Sequence, residues 1–314
     1  MRFIYVIDSM DRVLPDKDTT FAFLRAAQAR GHENLHCEAR DLHVREGDIW
    51  ARVRTIKVDD APPHAVFDAF EEVRLADLDA VFIRKDPPFD GMYLMATLLL
   101  ERVRGKVLLI NDPRGLREAN EKLYTLNFAQ HMPRTIVSSN EDEIMAFVKE
   151  VGGTGVIKPL DLAGGSGVMM LRSDDKNARS IMQLLTVEGT KYVMVQQYLP
   201  DVTKGDKRVI LLEGKILGAI NRIPRADDLR SNIHVGGSVE PYEITDVERQ
   251  IAADLAPKLA EDGLVFVGLD VIGGKLTEVN VTSPTGIQQL SAHHGRDIAA
   301  DVIEWAEKHS LKKA

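Results

Sequence analysis

Residues 3–111 alternate between apolar strand and amphipathic helix, and that alternation limits the fold more than any other feature of the chain. "FIYVI" (3–7) reads as a buried strand, "TTFAFLRAAQARG" (19–31) as an amphipathic helix closed by Gly31, and "LDAVFIR" (78–84) as a second strand. "YLMATLLLERVRG" (93–105) is again a helix ending at glycine, and "KVLLIN" (106–111) a further strand. Strands joined through helices must run parallel, so an α/β unit with a parallel sheet and helices on both faces is predicted. Residues 44–60 interleave charge with Val and Ile and predict an exposed hairpin.

The pattern changes beyond residue 117. Helices are predicted over 117–130, 140–153 and 176–188, and strands over 154–160, 167–172 and 192–199, which makes an α+β block. A third block carries strands "KRVILLEG" and "KILGAINRI", a polar loop (225–240), a helix (245–262), a hairpin and a closing helix (294–308). Units of 1–118, 119–200 and 201–314 follow, which suits 314 residues that are 44% hydrophobic. A net charge of −8 argues against nucleic acid held by bulk charge. No apolar run approaches about 18 residues, so no membrane span is expected. "MRFIYVID" breaks at Asp8 and reads as a strand rather than a secretory signal. The single cysteine, Cys37, rules out an internal disulfide and suits a reducing, cytoplasmic setting, where it serves as a small core residue.

Polar residues in apolar surroundings mark the chemistry. In "LDVIGGKLTEVNVTSPTG" (269–286), Asp270, Glu278 and Asn280 interrupt two apolar strands. Glu278 and Asn280 are two apart and share a face. Hard oxygens at that spacing suit magnesium, which takes a few carboxylates plus substrate phosphates; a wet sheet face is the plainer alternative. A two-residue turn would put Asp270 on the face opposite Glu278. The expected register is therefore a three-residue loop, Gly273 to Lys275, with Asp270 across from Glu278. In "VIKPLDLAGGSGVMML" (156–171), Lys158 precedes a loop with Gly164, Gly165, Ser166 and Gly167. The loop is either a flexible hairpin turn or a phosphate cover. "YVMVQQYLP" (192–200) is either an interdomain crossover or a strand offering backbone groups to an adenine edge. Arg208, Arg222, Arg230 and Asn232 flank or follow sheet strands, where they form a solvated rim or a polyanion clamp. Arg84 ends a parallel strand, where ligands of open sheets gather, and Asp18 and Thr19 read as helix caps.

Together these stretches resemble the ATP-grasp ligases, and within them the bacterial glutathione synthetases. "RKDPPFD", "LREANEKLYTLNFAQ", "YLPDVTKGDKRVILLEGK" and "EDGLVFVGLDVIGGKLTEVNVTSPTG" carry the resemblance, in order, over nearly the whole chain. The resemblance implies an ATP-grasp fold: an N-terminal parallel-sheet, Rossmann-like substrate-binding domain, a central α+β lid subdomain and a C-terminal α+β subdomain with the metal site. It implies that Lys122 and Lys158 bind ATP phosphates, that Gly164, Gly165, Ser166 and Gly167 cover them, and that Gln197, Tyr198 and Leu199 hold adenine, with Asp206 near the nucleotide. Arg208 and Arg222 would be catalytic. Arg84, Arg230, Asn232, Ser283 and Thr285 would meet the substrate. Asp270, Glu278 and Asn280 would hold two Mg2+ ions, for which Mn2+ can substitute. The loop "LAGGSG" lacks a glycine that relatives usually carry at or near Leu162 or Ala163. The implied reaction joins γ-glutamylcysteine to glycine with ATP through an acyl phosphate, in a homotetramer or homodimer, with the 225–240 loop as a lid hinged at Gly236 and Gly237. Another carboxylate–amine ligase on this scaffold, or a non-catalytic ATP-binding regulator, is the competing reading.

Overall fold

The computed structural model describes residues 1–10, 13–225 and 237–311. Seven strands form the first sheet: β1 (Arg2–Val6), β2 (Glu33–Cys37), β3 (Leu42–Arg45), β4 (Asp48–Val58), β5 (Ala65–Arg74), β6 (Ala80–Ile83) and β7 (Leu108–Ile110). β2, β1, β6 and β7 are parallel neighbours in that order, and β1 and β6 are apolar on both faces because helices cover both. Helix α1 (Thr19–Ala29) starts where the Asp18 side chain accepts from Phe21 N at 2.6 Å, and α2 (Gly91–Glu101) where Asp90 does the same for Tyr93 N. The 44–60 stretch is no isolated hairpin. β4 pairs antiparallel with β2, β3 and β5, so a ribbon extends the parallel sheet.

The helix expected over 117–130 is in fact α3 (Pro113–Glu118), a short non-helical step and a 3-10 segment (Leu123–His131). Glu121 and Lys122 occupy the step. The second sheet is antiparallel throughout, built from β8 (Thr135–Ser138), β9 (Thr154–Pro159), β10 (Met169–Arg172) and β11 (Val193–Gln197), in the order β10-β9-β11-β8. Helices α4 (Glu141–Glu150) and α5 (Ala178–Thr186) cover one face, packing on Ile157, Leu171, Val193 and Val195. Period-two alternation turns Val156, Lys158, Met194 and Gln196 to the other face.

The third sheet runs β14-β13-β12-β15-β16, all antiparallel: β12 (Asp206–Leu212), β13 (Lys215–Ile223), β14 (Ser238–Pro241), β15 (Phe266–Ile272) and β16 (Lys275–Asn280). β14 falls within the polar loop expected at 225–240, and of that loop residues 226–236 lie outside the described residues. Helix α6 (Asp246–Glu261) follows. The closing helix expected over 294–308 is α8 (Ala299–His309), and it is preceded by a further helix, α7 (Ile287–His294), which ends at Gly295 with a φ of 63°. Among the described residues no helix is long and apolar enough to cross a membrane.

One face of the third sheet packs Val209, Leu211, Leu269 and Val271 into a core shared with β1, β6 and α2. The other face changes character along the strands. Ile210, Leu212, Ile220 and Phe266 join a second core with α1 and α8, while Asp206, Arg208, Arg222 and Asp270 occupy the far half. Asn111, just past β7, fastens the two sheets. Its Nδ2 donates to Phe266 O and Val281 O, and its Oδ1 accepts from Val265 N and Phe266 N, all at 2.7–2.8 Å.

Candidate active site

The hairpin β15–β16 places its polar residues by a device different from the one expected. Ile272 pairs with Lys275 across a two-residue turn, and Gly273 and Gly274 both take positive φ (55° and 74°). That is the tight turn, not the three-residue loop. A bulge then absorbs one residue: Val271 pairs with Leu276 and Asp270 with Glu278, leaving Thr277 as the extra. Thr277 Oγ1 donates to Asp270 O at 3.2 Å. Asp270 thus lies directly across from Glu278, with Asn280 opposite Gly268 on the same face. Gly268 keeps the space open: a Cβ there would lie 3.0 Å from Pro284 Cβ and 3.1 Å from Arg208 Cδ.

Asp270 anchors a buried ionic group. Arg208 Nε and Nη2 donate to its two oxygens at 2.6 and 3.1 Å, and Arg222 Nη2 lies 2.9 Å from Oδ1 and 2.5 Å from Asp206 Oδ2. Burial alone would raise the Asp270 carboxyl, but the two guanidiniums more than offset it and hold the group well below the usual carboxylate range. Arg208 Nη1 also donates to Thr285 O at 3.1 Å. Arg222 Nε is buried without a hydrogen-bond partner.

Two clefts of about 900 Å³ each meet over this floor. The first lies between the second and third sheets. Lys122, Lys158, Gly164, Gly165, Ser166, Gln197, Tyr198, Leu199, Asp206, Asp270 and Glu278 line it, with apolar cover from Val156, Val202 and Ile272. Lys122 Nζ donates to Leu162 O in the glycine loop at 2.6 Å and faces Glu278 Oε1 at 3.2 Å. Lys158 Nζ donates to Gln196 Oε1 at 2.7 Å, and burial lowers its ammonium while Glu278 opposes that shift. Gly164, Gly165 and Gly167 all sit at positive φ, and Gly167, outside the lining, packs where a Cβ would fall 2.7 Å from Pro159 Cγ.

Arg208, Arg222, Glu278, Asn280, Ser283 and Thr285 line the second cleft with Asp86 and Glu121. Ser283 Oγ donates to Asp86 Oδ1. Arg84 is buried beneath this cleft rather than in its wall. It donates to Thr20 Oγ1 and Pro284 O, its Nη1 is without a hydrogen-bond partner, and burial lowers its guanidinium. Arg230 and Asn232, together with the hinge position Gly236, lie outside the described residues. Cys37 is a buried free thiol in the first core.

Glu121, Gln196 and Asp86 were missed by sequence reasoning. Glu121 Oε1 accepts from Val281 N (2.9 Å), Thr282 N (3.0 Å) and Thr282 Oγ1 (2.8 Å), and its own carbonyl accepts from Val279 N. Burial raises its carboxyl, Glu278 adds to that, and the three donors oppose both. Only its position beside Lys122 in "NEKL" hints at it.

Residues 1–117 match the family model for the N-terminal domain of prokaryotic glutathione synthetase, and residues 121–295 that for its ATP-grasp domain. The chain belongs to the prokaryotic glutathione synthetase family. The glutathione synthetase of Synechococcus elongatus is 45% identical, covering 96% of this chain and 97% of that one; that of Synechocystis is 43% identical, covering 98% and 99%. Among solved structures, the D-cycloserine synthetase DcsG superposes with a TM-score of 0.67 at 18% identity, covering 98% of this chain and all of that one. The ATP-grasp ligase PsnB, complexed with a minimal precursor, gives 0.65 at 18%, covering 96% and 97%. At such identities the likeness is one of fold, and that fold is ATP-grasp.

Proposed function

We propose that this chain joins γ-glutamylcysteine to glycine in the cytoplasm, with ATP converted to ADP and phosphate. Membership of the glutathione synthetase family makes it an ATP-dependent ligase. The observation that carries the site assignment is the shared wall: Glu278 and Gly164 line both clefts, so a nucleotide's terminal phosphate in one would meet a carboxylate in the other.

On this reading adenine sits against Gln197, Tyr198 and Leu199, ribose near Asp206, and the phosphates between Lys122, Lys158 and the Gly164–Gly167 loop. The dipeptide occupies the second cleft, held by Ser283, Thr285 and the Arg84-supported loop, with Arg230 and Asn232 as further substrate contacts. A cysteinyl carboxylate oxygen attacks the γ-phosphorus while the bond to the bridging oxygen breaks and ADP departs. The glycine nitrogen then attacks the acyl carbon; the amide bond forms, the acyl C–O bond breaks, phosphate leaves and the amine gives up a proton. Arg208 and Arg222 face both steps with guanidinium N–H groups already fixed by Asp270 and Asp206, so little reorganisation is needed as charge develops. A lid over the intermediate would keep water from the acyl phosphate.

Two carboxylates and an amide on one sheet face are a donor set suited to Mg2+ or Mn2+, which keep several sites for phosphate oxygens and water. Asp270 spends two contacts of Oδ1 and one of Oδ2 on arginine, while Glu278 and Asn280 open to the second cleft. Asp270, Glu278 and Asn280 would hold two such ions, whose chemistry is neutralisation of phosphoryl charge.

Incubation with ATP, Mg2+, γ-glutamylcysteine and glycine tests the reading: ADP, phosphate and tripeptide should appear in equal amounts. Tripeptide formation without glycine dependence, or ATP turnover without the dipeptide at the same rate, overturns it. In Glu278→Gln, turnover should fall by about a hundredfold or more with the circular dichroism spectrum unchanged; wild-type turnover would remove Glu278 from the site.

A further inference from the structure

The second cleft carries an acid that the rest of its wall does not answer. Arg208 and Arg222 are engaged by Asp270 and Asp206. Glu278 faces Lys122 at 3.2 Å, and Glu121 receives three hydrogen bonds from Val281 and Thr282. Asp86 is left. Among the described residues no lysine, arginine or histidine forms a salt bridge with its carboxylate.

Asp86 is nonetheless built into place. It stands just past β6, beside Asp8 at the end of the neighbouring parallel strand β1. Asp8 Oδ2 accepts from Asp86 N at 3.0 Å, and Asp8 Oδ1 accepts from Lys85 Nζ at 3.2 Å, which draws the adjacent ammonium away from the Asp86 side chain. Ser283 Oγ donates to Asp86 Oδ1 and aims the carboxylate. Arg84, beneath, contributes only its field, since its N–H groups donate to Thr20 and Pro284. Asp86 Oδ2 has no hydrogen-bond partner among the described residues. An exposed, oriented carboxylate with a free oxygen and no counter-charge is a seat for a cation.

We propose that Asp86 seats the α-ammonium of the γ-glutamyl residue and so decides which dipeptides are accepted. The inference rests on the ligase reading given above. Ala163, Gly164 and Glu278 line both clefts, whereas Asp86 lines the second alone. The cysteinyl carboxylate must reach the shared wall to meet the γ-phosphate. The γ linkage then carries the α-ammonium away from that wall, to the side of Asp86. Glycine brings the other amine, but it must lose its proton before it attacks. A carboxylate paired with its ammonium would hold it in the form that cannot.

Steady-state kinetics of the full chain with γ-glutamylcysteine and with N-glutarylcysteine, which differs only in lacking the amino group, test this. The wild type should favour γ-glutamylcysteine in kcat/KM by about tenfold or more, the loss expected when a charged pair forfeits one partner. Asp86→Asn keeps an oxygen for Ser283 but should treat the two dipeptides alike, with KM for glycine and for ATP unchanged. Ser283→Ala should weaken both dipeptides and keep the preference, which separates the seat from a merely structural contact. A wild type indifferent to the amino group, a preference intact in Asp86→Asn, or a rise in KM confined to glycine each overturns the proposal while the ligase reading stands. A wild type that joins neither dipeptide to glycine overturns both.

Discussion

Glu121 and Lys122 are neighbours in sequence that serve different parts of the site. Lys122 reaches the glycine loop and Glu278, while Glu121 gathers two backbone N–H groups and a hydroxyl on one oxygen and so fixes the chain as it leaves β16. Removing that acceptor leaves buried donors unsatisfied, at about 1–3 kcal/mol for the set that stays dry. Glu121→Ala should therefore lower the urea midpoint and raise KM for the dipeptide about tenfold or more, with KM for ATP nearly unchanged. Glu121→Gln keeps a carbonyl acceptor and should recover much of the loss. Steady-state kinetics with each substrate varied in turn decides it; equal rises in both KM values would make Glu121 a general prop rather than a positioning residue for Ser283 and Thr285.

At the scale of elements, the hairpin shows what a sequence conceals. The apolar alternation, the glycines and the pairing of Asp270 with Glu278 were legible, because periodicity and turn chemistry leave marks on residue type. The bulge at Thr277 was not, since any residue can be the one left over. The same holds for Asp86 and Ser283, whose contact joins segments 197 positions apart, and for the non-helical step at Glu121 and Lys122, where a helical pattern continues across a break. β2 was hidden in a short polar-apolar run, "ENLHC", which only its parallel partner β1 makes into a strand. The turn itself gives a sharp prediction. Gly273 has a φ of 55°, and a Cβ there would lie 2.9 Å from Asp201 Oδ2. Gly273→Ala should cost about 1–2 kcal/mol in urea denaturation, whereas Gly91→Ala, with open space and ordinary φ, should be neutral or slightly stabilising.

Over the whole molecule, the first and third sheets share two cores, and the second sheet keeps a separate one of its own around Ile144, Val148, Ile157 and Val195. The shared body is closed by α8 against α1, where Glu307 accepts from Arg30 and His32. The bond to Arg30 leads in holding the Glu307 carboxyl at about 2, down from 4.5. A depressed folded-state value means the contribution is fully present above the unfolded value and is lost as pH falls through the folded one. Wild type should thus melt above Glu307→Gln at neutral pH, and the gap should close between about pH 4.5 and 2 in thermal scans; a gap that persists unchanged at pH 2 would deny the ion pair its role. The charge lining the two clefts has a consequence for how the nucleotide arrives. Among the described residues, Lys122, Lys158, Arg208 and Arg222 are outnumbered by Asp86, Glu121, Asp206, Asp270 and Glu278. The cavity therefore offers a polyanion no electrostatic welcome of its own, and a triphosphate must come already escorted by counterions; calorimetric titration should find naked ATP, with chelator present, bound at least tenfold more weakly than ATP supplied with Mg2+.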